Sequence, residues 1–325
     1  MVKIVGRVLL VVVLLASGSA HAAPAITAAE AAKRLGLSQA SIDRVKRGEV
    51  VVEELARSND KDLSIALVAA VDAPLSKVYE FVAAAKMAEL STVTISHGSI
   101  DTKTFSLDAL TLPDDVVAQL ADDPAGTFFL SKSEAEQVKN AAAQGKAQAM
   151  AAYRAALSAR AKAYWEGGAK AIVPYEGKNR SPGADLGDAN AAARKLLANP
   201  AVLALLDVVP AKASGPAVHE LVWAVQKGRD QAAPVLSHRI LYKQDDGEVF
   251  IEKRFYSGYD YDALQVVTGV LPVSPDRSAV FYTNHTFTDQ VAGFGGGAKR
   301  SIGRKLMSKE LVTEIERAQK AVGGS

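Results

Sequence analysis

The chain contains no cysteine. That excludes thiol catalysis, thiolate metal ligation, disulfide cross-links and a lipid-bearing cysteine anchor, so stability must come from buried apolar surface. Histidine is scarce as well. Beyond His21 there are only His97, His219, His238 and His285, none close to another in sequence and none in an H-E-x-x-H pattern. Neither a metal site nor a bound cofactor is therefore expected. A long hydrophobic run is missing too. Val8–Ala16 is only nine apolar residues, whereas a spanning helix needs about 20. Lys3 and Arg7 precede this run and Ala20-His21-Ala22 follows it, which is the anatomy of a cleavable secretory signal over residues 1–22. The expected location is the periplasm or the outside of the cell. Without that segment, which holds two basic and no acidic residues, 36 basic residues face 36 acidic ones. A nucleic-acid binder carries a clear basic excess, and this chain has none.

What remains is a chain of about 300 residues, enough for one or two cores. Residues 27–46 read as a helix, opened by Thr27 with Glu30 as a capping box. Residues 48–56 and 63–72 read as two strands, 73–90 as a helix with Pro74 in its first turn, and 92–100 as a strand. From Pro113 to about Val235 the chain is rich in alanine and reads as helical. Its strongest stretch is 131–168, with Ser133 as N-cap and Gly167 as the terminating glycine, and shorter helices are expected over 189–207 and 216–228. Strands return over 235–244, 248–258, 262–273 and 278–288. Asp245-Asp246-Gly247 and Pro275-Asp276 supply turns, and a helix closes the chain over 296–321. Consecutive hairpins imply an antiparallel sheet, hence α+β.

The stretch Gln290-Val291-Ala292-Gly293-Phe294-Gly295-Gly296-Gly297-Ala298-Lys299-Arg300-Ser301 sits between the last strand and that helix. It fails the phosphate-loop pattern, because Gly297 is followed by alanine rather than Lys-Ser. Gly293-x-Gly295-x-x-Ala298 does match G-x-G-x-x-A, but a dinucleotide site needs a second strand after the helix, and none follows. Two readings of Gly293, Gly295, Gly296 and Gly297 stay open: a tight strand-to-helix connection, or a hinge that gates a ligand opening. In the helix beyond, Lys299, Arg300, Arg304, Lys305 and Lys309 make a basic first half. They are a solvated face or a contact for anionic lipid, and they oppose the helix dipole.

A strand ending in Asp72-Ala73-Pro74, a helix bearing Val78, Tyr79, Phe81 and Val82, antiparallel strands and a long C-terminal helix together resemble the START-like helix-grip superfamily, also called SRPBCC. The chain also resembles secreted bacterial proteins of unknown function with a similar glycine-rich C-terminal stretch. The resemblance implies a helix-grip domain over 48–112 and 235–325: a curved antiparallel sheet packed on the long C-terminal helix around an apolar cavity. A helical segment over 23–47 would precede it. A helical insertion over 113–234 would interrupt it, and that insertion has no counterpart in the family.

Members of this family hold lipids, sterols, polyketides or other hydrophobic molecules, and some are enzymes. Strand alternation sorts the candidate ligand contacts. Phe250, Glu252, Arg254 and Tyr256 share one face of their strand. Val280, Tyr282, Asn284 and Thr286 oppose Phe281, Thr283, His285 and Phe287 on another, with the inward face open in both cases. Tyr256, Tyr259 and Tyr261, set beside two aspartates, suit a cavity rim, each with an apolar ring and a polar tip. The ligand-contact set is thus Arg254, Tyr256, Tyr259, Tyr261, Tyr282, Asn284 and His285, and no catalytic residue is assigned. Asn284-His285-Thr286 also spells a glycosylation acceptor, although it reads as strand.

Three functions compete. The first is an exported carrier or sensor of a hydrophobic, lipid-like small molecule. The second is an enzyme on a hydrophobic substrate, for which His285, near Asn284 and Asp289, is the candidate base. The third is an interaction module using the helical insertion, or the basic helix, against a membrane or a partner. Membrane contact would then fall to Lys299, Arg300, Arg304 and Lys305.

Overall fold

The computed structural model describes residues 27–323 except positions 85, 179, 180, 198, 229, 245, 246 and 294. The expected signal segment, Phe294 and the expected turn at Asp245-Asp246 lie outside the described residues. Two short helices come first, α1 (Ala28–Arg34) and α2 (Gln39–Lys46). The sequence leads to one helix here; Gly36, at φ +72°, breaks it into two. Thr27 and Ser38 then cap the two pieces by accepting from the backbone N–H of Glu30 and Ser41. Strands β1 (Val51–Glu54) and β2 (Asp62–Val71) form a hairpin, followed by helices α3 (Leu75–Ala83) and α4 (Lys86–Leu90) and strand β3 (Thr94–Ile100).

A run of helices comes next: α5 (Asp114–Gln119), α6 (Pro124–Phe128), α7 (Lys132–Ala142), α8 (Lys146–Gly167), α9 (Pro182–Leu196) and α10 (Pro200–Leu205). The continuous helix expected over 131–168 is two helices, parted at Gly145 with φ +126°. Its N-cap is Ser131 rather than Ser133, because Ser131 and Glu134 form the reciprocal capping box. The helix expected over 216–228 is instead strand β4 (Val218–Lys227). Leu221, Trp223 and Val225 are buried at every second residue, a period of two, while β3 and β5 supply the backbone partners. The helical run therefore ends earlier than position 234. Strands β5 (Ala232–Gln244), β6 (Gly247–Ser257), β7 (Ala263–Ser274) and β8 (Arg277–Phe287) complete the sheet, and α11 (Gly296–Gly323) ends the described chain.

The fold is α+β with one open sheet of eight antiparallel strands in the order β1-β2-β8-β7-β6-β5-β4-β3. The five late strands form a meander. Its last member, β8, pairs with β2 from Asp62↔Phe287 to Val71↔Ser278, and its first, β4, pairs with β3. Early and late segments of the chain thus share one sheet.

Both faces of that sheet are covered, which explains why β2 is buried at every position and reads as an unbroken apolar run. On one face α11 packs Ile315, Leu311 and Val312 against Leu67 and Ala69, while α3 packs Val78 against Phe250, Val270 and Val280. On the other, α1 and α2 cover Val68, Leu271, Ala279 and Phe281, and α9 and α10 cover Ile240, Ile251 and Val267. The helices between β3 and β4 share a core with the sheet. Tyr164 of α8 stacks on Phe255 of β6, with ring centres 4.1 Å apart and planes 4° from parallel, and Leu157, Phe128 and Leu186 belong to the same cluster as Leu221, Trp223 and Leu236.

Candidate functional site

Between the sheet and the layer formed by α3, α4 and α11 lies a cavity of about 1130 Å³. Strand register decides what lines it. Val71 and Val270 lie towards one end, with Val280 facing Val270 across β7 and β8, and Val78 of α3 and Val322 of α11 close that end with apolar groups. One step along, Leu241, Phe250, Thr268, Tyr282 and Leu67 form a lateral row across five strands. The next row is Arg239, Glu252, Val266, Asn284 and Ile65; beyond it come Ser237, Arg254, Leu264, Thr286 and Leu63. Apolar residues dominate the first two rows, and polar ones gather in the last two. Met307, Leu311 and Glu314 of α11 face these rows from the opposite wall.

Arg254 anchors the polar end. Its Nε donates to Glu252 Oε1 at 2.7 Å, and its Nη1 donates to Gln226 Oε1 at 3.0 Å and to Tyr261 Oη at 2.8 Å. Glu252 Oε1 also accepts from Ser237 Oγ at 3.0 Å. Burial pushes the Glu252 carboxyl up, but the charge of Arg254 and these donors outweigh it and hold the group below the ordinary carboxylate range. Burial works against the Arg254 charge as well, and Tyr261 and Glu252 more than offset it, so the guanidinium stays charged. Two strands away, on β8, Asn284 Nδ2 donates to Tyr282 Oη at 3.1 Å, and Thr286 Oγ1 donates to Asn284 Oδ1 at 2.7 Å. Burial raises the Tyr282 phenol, so it is protonated at neutral pH. Burial also raises the Glu314 carboxyl, against a hydrogen bond from Ser91 and the charge of Arg254. Arg239 is matched by Glu220 at 3.4 Å and donates to the Val82 carbonyl at 2.6 Å.

Of the seven ligand contacts expected from sequence, Arg254, Tyr259, Tyr261, Tyr282 and Asn284 line this cavity. Tyr256 and His285 do not. A bulge at Phe255, where Leu236 faces Tyr256 and Ser237 faces Arg254, shifts the alternation by one and turns Tyr256 towards the helical run. There Tyr256 Oη donates to the Phe128 carbonyl and accepts from Tyr153 Oη, both at 2.7 Å. His285 projects from the opposite face to Asn284, fully buried, with Nδ1 2.9 Å from Asp62 Oδ2. Asp289, its expected neighbour, instead joins Lys61 at 3.1 Å and Lys178 at 2.8 Å in a charge cluster that also holds Asp185 and Asp262.

Sequence reasoning missed Glu252, Gln226, Ser237, Thr286 and Glu314 as members of the site. Glu252 and Arg254 share a strand face by alternation, so their pairing was accessible; Gln226 was hidden by the reading of β4 as helix. It also left His219 and His238 apart. Pairing of β4 with β5 brings His219 Nδ1 to 3.0 Å from His238 Nε2, behind the sheet and beside Tyr164. Burial, reinforced by Lys253, holds His238 well below its ordinary value and hence neutral. Among the described residues no group of three or more His, Cys, Asp or Glu is placed to hold a metal ion.

The glycine stretch begins α11. Gly293 and Gly295 have φ of +72° and +75°, and a Cβ on Gly296 would meet the Val291 carbonyl oxygen at 2.4 Å. Three of the four glycines therefore have a steric reason, while nothing crowds Gly297. Of the basic residues beyond, Lys299 and Lys305 are exposed, while Arg300 and Arg304 turn to the body of the protein. No protein-family model matches the chain, and no curated protein sequence matches it significantly.

Proposed function

We propose that this protein is an exported carrier or sensor of a hydrophobic, lipid-like small molecule, held between the sheet and α11 in a helix-grip arrangement. The observation that carries the reading is the cavity. At about 1130 Å³ it lies just above the range of about 300–1,000 Å³ for small-molecule sites, room enough for a long ligand, and it has an apolar end and a compact polar end. That polarity suits a ligand with a long apolar body and one polar group, the body against Phe250, Val270 and Val280 and the polar group near Arg254, Tyr261 and Asn284. The START-like resemblance of residues 72–82, and the order of strands and closing helix, support the same reading, and the signal-like residues 1–22 support a periplasmic or secreted location.

The enzyme alternative loses its candidate base, because His285 faces away from the cavity and is held by Asp62. The experiment is native mass spectrometry of the mature protein purified from its own periplasm, followed by titration with N-phenyl-1-naphthylamine. A discrete bound mass, displaced by the probe as its fluorescence rises to saturation, is expected. A clean protein mass together with no probe uptake would remove the carrier reading.

A further inference from the structure

Helix α11 turns one side to the cavity and the other outward. The inner side carries Gly303, which packs on Leu63, and Met307, Leu311 and Ile315. The outer side carries Ile302 and Leu306, one turn apart and 62% and 61% exposed, the two most exposed large apolar residues among those described. Lys299, Lys305 and Lys309 are exposed around them, and no acidic residue occurs in the helix before Glu310. Arg300 and Arg304 do not belong to this face. Arg300 donates to the Asp60 and Val291 carbonyls, both at 2.9 Å, and Arg304 pairs with Glu54 at 3.1 Å. The two exposed aliphatic side chains do not help solubility, and lysines at a helix N-terminus oppose the helix dipole.

We propose that this outer face, from Lys299 to Lys309, docks on an anionic phospholipid surface. Ile302 and Leu306 enter the headgroup region, and Lys299, Lys305 and Lys309 lie over lipid phosphates. The chemistry of the face selects this occupant. Two side chains cover far less than the ~800 Å² per partner of a stable protein interface, and lysine is depleted from such interfaces. A second copy seated by two-fold symmetry would set lysine against lysine. An anionic bilayer matches both features, taking up apolar side chains and attracting each lysine by about fivefold in partition. The inference stands independently of the carrier reading; if both hold, docking sets the helix that walls the cavity against the bilayer.

The test is flotation of the mature chain with vesicles of phosphatidylglycerol and phosphatidylcholine, against vesicles of phosphatidylcholine alone. The chain should float with the anionic vesicles only, and less at high salt. The double variant Ile302→Ser/Leu306→Ser should lose at least about tenfold in partition. Lys305→Gln, at an exposed position and so harmless to folding, should lose about fivefold, whereas Arg304→Gln should stay within about twofold of the native chain. Equal flotation with both vesicle types, no flotation, or native partition by the double serine variant would overturn the proposal. So would a dimer in sedimentation equilibrium that the double variant abolishes, which would give the face to a second copy.

Discussion

Replacing Arg254 by methionine tests whether the polar end of the cavity is a desolvated node. At 2.7 Å and an effective dielectric of about 20, the Arg254–Glu252 attraction is roughly 6 kcal/mol before desolvation is counted. Desolvation of the two ions returns several kcal/mol of that, so the pair as such is close to neutral against an apolar replacement. The single substitution is different. It leaves the Glu252 carboxylate with Ser237 as its remaining close donor, and it strips Gln226 and Tyr261 of a charged partner. Losing one member of a buried pair costs about 3–5 kcal/mol; the Glu252 side chain keeps 31% of its surface accessible, so the lower end, about 3 kcal/mol, is expected. The double variant Arg254→Met/Glu252→Leu removes both charges and should return to within about 1.5 kcal/mol of the native chain. Urea unfolding of the native protein, both single variants and the double variant closes the cycle. A cost below about 1 kcal/mol for Arg254→Met would mean that water solvates the carboxylate freely, and the picture of a desolvated polar node would fall.

Glu248 gives a pH prediction of the opposite sign to Glu252. It is 1% exposed, neither carboxylate oxygen has a hydrogen-bond partner among the described residues, and burial, against the charge of Lys243, raises its carboxyl from 4.5 to about 7. The folded state then holds a proton that the unfolded state has lost, so stability falls as pH rises from about 4.5 to about 7. Glu248→Gln should abolish up to about 3 kcal/mol of that fall, and an unchanged slope in urea midpoints across that window would refute it. The Glu252 contribution runs the other way: present above the unfolded carboxylate value, it is lost as pH drops through the lowered folded one. Thr268→Trp, at the centre of the cavity-facing row, should cut the saturation level of naphthylamine uptake severalfold with the urea midpoint little changed; full uptake would place the bound probe elsewhere. Gly296→Ala should destabilise by about 1–3 kcal/mol, because the new Cβ meets the Val291 carbonyl, whereas Gly297→Ala, at an uncrowded helical position, should be neutral or stabilising by up to about 1 kcal/mol; equal effects in thermal unfolding would contradict the geometry.

Much of the architecture could be read along the chain because its causes are local. Alternation and turn residues located β5, β6, β7 and β8, helical spacing located α3, and the apolar run of β2 read as a strand. The failures have equally specific reasons. Strand β4 lies in an alanine-rich neighbourhood, and only its pairing with β3 and β5 overrides the helical reading of "VHELVWAVQK". Tyr256 was placed at a cavity rim with Tyr259 and Tyr261 and grouped with Arg254 by simple alternation, which a single bulged residue at Phe255 reversed. The face carrying His285 could not be chosen, since both sides of β8 mix polar and apolar residues.

The sequence by itself determined the class of fold, the last four antiparallel strands with their closing helix, the exclusion of thiol chemistry, and the demotion of the glycine stretch from a nucleotide site. These depend on composition, period and chain order, which are properties of neighbours along the chain. Only the tertiary structure decided that Arg254, Glu252, Gln226 and Tyr261 meet at one end of a cavity, that His285 lies behind the sheet with Asp62, and that α11 divides its residues between a cavity wall and an exposed basic face. Those outcomes rest on strand register, on one bulge and on the rotation of a helix about its axis, and each is fixed by packing between segments far apart in sequence.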